Sequence, residues 1–233
     1  MAPRGTKSER GKPAIEDLGF RPNGNAASLR NRRSRLVGLV QPSITNSFFA
    51  QMASEFGKLS IAAGYRAARA LSGLGHRAIA VLVPDMVIHP NQHRTRGVER
   101  ALREADAADG CRVVVGGQTI DGGRSAIEQE LRREDRVTAI VAATNIVTLG
   151  AIKAIQSLQL AKPRDISLIG FDDFDWMTAL RPYVSAVAQP TDRLAAKAWN
   201  LLQARMDGQA GATAQHVIFD GELKIREASG RPS

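Results

Sequence analysis

Short, largely apolar runs that recur between amphipathic stretches constrain this chain more than any other feature. The runs are Leu36–Val40, Ile79–Val83, Arg112–Val115, Thr138–Ala142, Ile166–Gly170 and Ser185–Ala188. Each has strand length and is apolar at successive positions, as a strand buried on both faces must be. Helical periodicity fills the intervals. Asn46 is placed to cap a helix through Phe49, Met52, Phe56 and Leu59 to Gly64, and Tyr65 to Leu74 reads as a second helix ending at Gly75. Thr95 to Asp106 and Gly123 to Arg133 read as helices, and Val147, Ala151, Ile155 and Leu158 mark one face of another. Thr191 is placed to cap a helix carrying Leu194, Ala198, Leu201 and Leu202, with Gly208 as its stop. Gln215 to Arg226 alternates as a last strand or strand pair. This βα rhythm predicts an α/β fold with a parallel sheet covered by helices on both faces.

With 233 residues, 43% of them hydrophobic, the chain can bury a sizeable core. No apolar run is long enough to span a bilayer and no secretory leader is apparent, so a cytoplasmic protein with no membrane partner is expected. The single cysteine, Cys111, has no disulfide partner and no neighbouring cysteine for a metal knuckle. Charge is distributed unevenly. Residues 1–35 hold nine Lys/Arg against Glu9, Glu16 and Asp17, so +6 of the net +9 lies in that stretch. A basic arm ahead of a nearly neutral globule is suited to phosphate-backbone contact, and equally to a solvated tail.

Within the arm, residues 1–12 are polar and aperiodic, Ala14–Leu18 has room for one or two helical turns, and Arg21-Pro22-Asn23-Gly24 is a strong break. Asn25–Arg30 could form a single helical turn, too short to stand without a partner surface.

Four ordered stretches resemble the lactose-repressor (LacI/GalR) family of transcription regulators. They are Glu16–Asn23 with Ala26–Arg30; Val37–Ala50; Leu74-Gly-His-Arg-Ala-Ile-Ala80 with Arg94–Gly97; and Pro163–Asp173 through Leu180-Arg-Pro182 to Gln189-Pro190. The resemblance implies a periplasmic-binding-protein-like effector domain of two Rossmann-like lobes with a ligand between them. It also exposes two departures. Nothing before Glu16 resembles the family's helix-turn-helix. Gly64-Tyr65 stands only nine residues before Leu74, where the family has several further elements of the N-terminal lobe. The expected organisation is therefore a basic arm and hinge remnant over residues 1–35, a reduced N-terminal lobe from 36–64 and 190–208, and a complete C-terminal lobe from 65–189 and 209–233. A lobe so reduced would leave strand edges and apolar helix faces unpartnered, which favours oligomers, and a homodimer is expected.

The resemblance places Leu29 where the family wedges a minor groove, with Asn23 and Ala26 beside it and Arg30, Arg32 and Arg33 near phosphates. Without major-groove helices such contact is weak or non-specific, and the stretch reads better as a basic linker. For the effector, the match points to Arg94 and Asp172, a guanidinium and a carboxylate suited to bidentate bonds with sugar hydroxyls. Thr144 stands where the family commonly has Asn, Gln189 lies at the return crossover, and Phe48 and Phe49 could wall a sugar ring or simply fill core. Trp176 reads as a cleft or interface aromatic.

Catalysis, cofactors and resident metals find no support. His89 and His93 are followed by no third ligand and interrupted by Pro90; the pairs Gly116-Gly117 and Gly122-Gly123 lack phosphate-loop spacing; no serine sits in a nucleophile elbow. The resemblance implies a ligand-responsive repressor that senses a small sugar or sugar acid, impaired in operator-specific binding. The alternatives are a sugar-binding module without regulation and a vestigial, truncated regulator.

Overall fold

The computed structural model describes residues 47–179, 181–209, 217 and 219–233, with side chains from residue 60 onward. All fall within the unit Ile44–Ser233. The Leu36–Val40 strand and the six hinge residues Asn23, Ala26, Leu29, Arg30, Arg32 and Arg33 lie outside the described residues.

In chain order the elements are α1 (Ser47–Gly73), β1 (Ile79–Val83), α2 (His89–Glu104), β2 (Cys111–Val115), α3 (Ile120–Leu131), β3 (Ala139–Ala142), α4 (Asn145–Ser157), β4 (Ser167–Phe171), β5 (Ser185–Ala188), α5 (Thr191–Met206) and β6 (Glu222–Lys224). They build one six-stranded sheet in the order β2-β1-β3-β4-β5-β6. β1 to β5 pair in parallel, and β6 closes one edge antiparallel to β5 with Val187 opposite Leu223.

The apolar runs are explained by two cores, one on each face. Ile79, Val81, Val83, Ala139, Val141, Ile169 and Phe171 pack with Ala67, Leu71, Val98 and Leu102 of α1 and α2. The alternate residues Ala80, Leu82, Ile140, Ala142 and Leu168 pack with Ile127, Leu131, Val147, Ala151 and Ile155 of α3 and α4. Every residue of β1 is buried, so neither face tolerates a polar side chain. At about 1.5–3 kcal/mol per large apolar side chain taken fully out of water, these two layers dominate the stability of the fold.

Several helix boundaries differ from the sequence reading, among them the start of α3, which is Ile120 and not Gly123. A helix break was expected at Gly64, but α1 runs through it without interruption. A Cβ on Gly64 would lie 2.1 Å from the Arg94 carbonyl oxygen, and one on Gly97 would lie 2.1 Å from that of Ile61. Glycine serves here to let two helix backbones touch, and the boundary drawn between residues 64 and 65 falls inside one helix. The helix expected from Thr95 begins at His89, because Pro90 occupies a first-turn position that needs no N–H donor. Thr191 is the first helical residue of α5, and the capping position belongs to Pro190, so no side chain caps that end. Gly208, at φ +71°, follows the helix as expected.

Candidate effector cleft

In this strand order the connection after β1 runs toward β2 and the connection after β3 runs toward β4. The two diverge and leave a crevice at the carboxyl ends of the strands, the place where open α/β sheets bind ligands. Arg94, in the second turn of α2, reaches into it. Its Nη1 donates to the carbonyl of Ala143, one residue beyond β3, and its guanidinium lies 4.3 Å above the ring of Phe171 at the end of β4. Burial pushes the Arg94 pKa below its ordinary value, opposed by the charge of Asp172. Arg94 has no ion pair among the described residues, and its Nε is buried without a hydrogen-bond partner.

The turn after β4 places two carboxylates. Asp172 and Asp173 have φ of 77° and 42°, a left-handed conformation that costs a non-glycine residue roughly 1–2 kcal/mol. The Asp172 N–H offsets part of this by donating to the Val187 carbonyl at 2.9 Å, which extends the β4–β5 ladder. Its carboxylate accepts from the Gln189 side-chain amide. Asp173 is held by Lys224 of β6 at 2.8 Å and by Arg226 at 2.6 Å. Burial tends to raise the Asp173 pKa, but the bonds from Arg226 and Lys224 prevail and hold it below its ordinary value.

The structure thus brings Arg94, Asp172 and Gln189 to one crevice, with Thr144 one residue beyond the carbonyl that anchors Arg94. Thr144 caps no N–H of α4, and its hydroxyl is buried without a partner. Phe48 and Phe49 lie in the first turn of α1. At 1.5 Å of rise per residue they stand about 17 Å along the axis from Ser60, the nearer of the two α1 residues, Ser60 and Ala63, that line the cleft. Trp176 packs against the α3–α4 core. The cleft is open to solvent, with a cavity volume of about 50 Å³; Leu194 and Phe219 line it as well. Sequence reading missed Phe171, Leu194 and Phe219. Phe171 was detectable as the last apolar residue of a strand ending at the crevice, whereas the alternation of Gln215–Arg226 does not say what Phe219 faces. His89 and His93 have ring centroids 6.2 Å apart, and no group of three or more metal-ligating side chains occurs among the described residues. Nor, among them, is any helix long and apolar enough to cross a membrane.

The sequence profile of the periplasmic binding protein-like domain matches residues 68–229. The ribose operon repressor of Haemophilus influenzae is 33% identical over 132 residues, which cover 56% of this chain and 40% of that protein. This chain belongs to the LacI repressor family. Another relative, the probable opine utilization operon repressor of Rhizobium rhizogenes, is 28% identical over 69% of this chain and 85% of its own length. The fold matches the crystal structure of a LacI family transcriptional regulator from Enterococcus faecium with bound ribose at a TM-score of 0.68. That match has 22% identity over 74% of this chain and 63% of the other. The aligned region spans less than half the length of the ribose repressor.

Proposed function

We propose that this LacI-family chain is a ligand-responsive transcription regulator of the repressor type, with a small sugar or sugar acid in the crevice at Arg94, Asp172 and Gln189. The carrying observation is the convergence of these side chains from α2, the β4 turn and the β5–α5 crossover at the carboxyl end of the sheet. Ribose in the matched E. faecium regulator supports a carbohydrate ligand. Ligand binding shifts the balance between DNA-competent and DNA-incompetent states, and a homodimer in the cytoplasm is the working form. Arg94→Met tests the site. Loss of an unpaired, desolvated cation leaves the melting temperature unchanged or raised, while calorimetry against a panel of sugars and sugar acids loses the saturable heat given by the unaltered chain. Equal binding by both proteins overturns the assignment.

We further propose that residues 1–35, with a net charge of +6, contact the phosphate backbone of DNA without reading its bases. Binding of operator fragments is therefore weak and falls steeply with salt. Electrophoretic shift of LacI-type palindromes against scrambled DNA should give similar affinities. Sequence-selective binding that persists in salt overturns the claim of impairment.

A further inference from the structure

The two carboxylates of the β4 turn serve opposite faces of the sheet. Asp172 accepts from the side-chain amide of Gln189, which lines the cleft beside Phe171 and Val187. Those two strand residues pack on the α1–α2 face, so the cleft opens on that side. Asp173 is met from the other side. Lys224 stands opposite Ala186 in the β5–β6 ladder, and Ala186 packs in the α3–α4 core, so Lys224 belongs to the face turned away from the cleft. Lys224 and Arg226 both hold the Asp173 carboxylate, and Arg226 Nη1 also donates to the Val184 carbonyl at 2.8 Å. The segment that carries these cations is itself anchored. Arg66 of α1 donates to the Gly221 carbonyl at 2.7 Å and pairs with Asp220 at 3.1 Å, while the Arg226 N–H donates to the Ser185 hydroxyl at 2.8 Å. The Asp173 and Arg226 side chains are 12% and 18% exposed, so salt screens their ion pair weakly. Two successive non-glycine residues in the left-handed region do not keep that shape by local preference. The bond from the Asp172 N–H to Val187 fixes one end of the turn, and the Asp173 ion pairs fix the other.

We propose that Asp173, clamped by Lys224 and Arg226, is a positioning residue of the effector site. It touches no ligand; it holds the β4 turn so that Asp172 keeps the Gln189 amide in place at the cleft. This rests on the effector reading above and adds to it three residues on the far face of the sheet.

The test is calorimetry on the full 233-residue chain with ribose, glucose, gluconate and galacturonate, well below the melting midpoint of each variant. Asp173→Asn removes the charge and keeps a residue type that adopts the left-handed region. It should weaken binding of whichever probe gives saturable heat about tenfold, with the number of sites unchanged. Asp172→Gly removes the neighbouring carboxylate without backbone strain, and in that background Asp173→Asn should cost less than about twofold further, because its effect passes through Asp172. Arg226→Met should match Asp173→Asn, whereas Arg226→Lys, which keeps a cation, should stay within about threefold of the unaltered chain. Full affinity with fewer molecules bound marks a destabilised fold and overturns the positioning role. A loss of the same size that persists in the Asp172→Gly background overturns it too, as does Arg226→Lys binding as weakly as Arg226→Met. Each of these leaves the effector reading standing wherever Arg94→Met still abolishes the heat. Absence of heat with every probe overturns both.

Discussion

Gly64→Ala should lower the melting temperature by roughly 6 °C or more and remove ligand binding in the same step. Helix propensity alone argues the reverse, since alanine is worth about 1 kcal/mol over glycine inside a helix. Packing decides the sign. The added methyl would meet the Arg94 carbonyl oxygen at 2.1 Å, a backbone atom that cannot rotate away, so α1 and α2 must separate. Overpacking of this kind costs about 3 kcal/mol or more, and for a unit of this size each kcal/mol moves the midpoint about 2–4 °C. The clash falls on Arg94 itself, so its reach to Ala143 and Phe171 is lost along with stability. Circular dichroism melts with parallel calorimetry check both effects. A variant more stable than the parent, or one that is destabilised yet binds normally, would show that the helices are not in contact at this point.

His76→Ala should cost about 3 kcal/mol, and the chain should lose stability as pH falls below about 6.5. The imidazole is 1% exposed. The Gly230 carbonyl can only accept, so Nε2 carries the proton and bonds it at 2.8 Å, while Nδ1 faces the Thr138 hydroxyl at 2.8 Å and accepts its proton. Burial lowers the His76 pKa, and the bond to the Gly230 carbonyl works against that shift. A histidine whose folded pKa lies below its unfolded one is neutral in the fold, and below the unfolded value the unfolded chain binds more protons. Its contribution is therefore complete above about pH 6.5 and is lost as pH falls toward and through the depressed folded pKa. His93 is shifted the same way, by burial first and then by Arg96 and His89, so His93→Gln is the control. Urea titrations from pH 5 to 8 should show a sloping acid arm that His76→Gln flattens and His93→Gln reduces less. An unchanged slope in His76→Gln would remove His76 as its source.

The interior strands were legible because a strand buried on both faces has few polar positions to confuse its length; β2, at the sheet edge with Val113 and Val115 exposed, was legible from its run of valines. All five parallel strands emerge within two residues of their apolar runs. Arg94, Asp172 and Gln189 were legible only through resemblance, since nothing in their local sequence says that α2, the β4 turn and the β5–α5 crossover converge. Gly64 was misread because one residue type serves two ends: glycine stops helices, and it also lets helices touch. Only the partner surface distinguishes them. Of the expected stretch Gln215–Arg226, residues 215, 216 and 218 lie outside the described residues, and the strand among the described ones is Glu222–Lys224; alternation does not reveal how many residues find a partner across the ladder. Phe219 was invisible for a related reason, as an isolated aromatic acquires meaning only from what faces it.

Lys224 and Arg226 reach back to Asp173, the Ala228 carbonyl accepts from the Leu168 N–H at 2.9 Å, and the Ser229 hydroxyl donates to the Leu168 carbonyl at 3.1 Å. The Gly230 carbonyl closes the sequence on His76. Each of these bonds joins the C-terminal segment to residues that leave the ribosome before it. Translation order therefore governs assembly. A nascent chain can gather its parallel strands early, yet it lacks the cations that neutralise Asp173 and the acceptor for His76 until residues 224–230 have been made, so a segment made after all five parallel strands supplies the bonds that hold the β4 turn and His76.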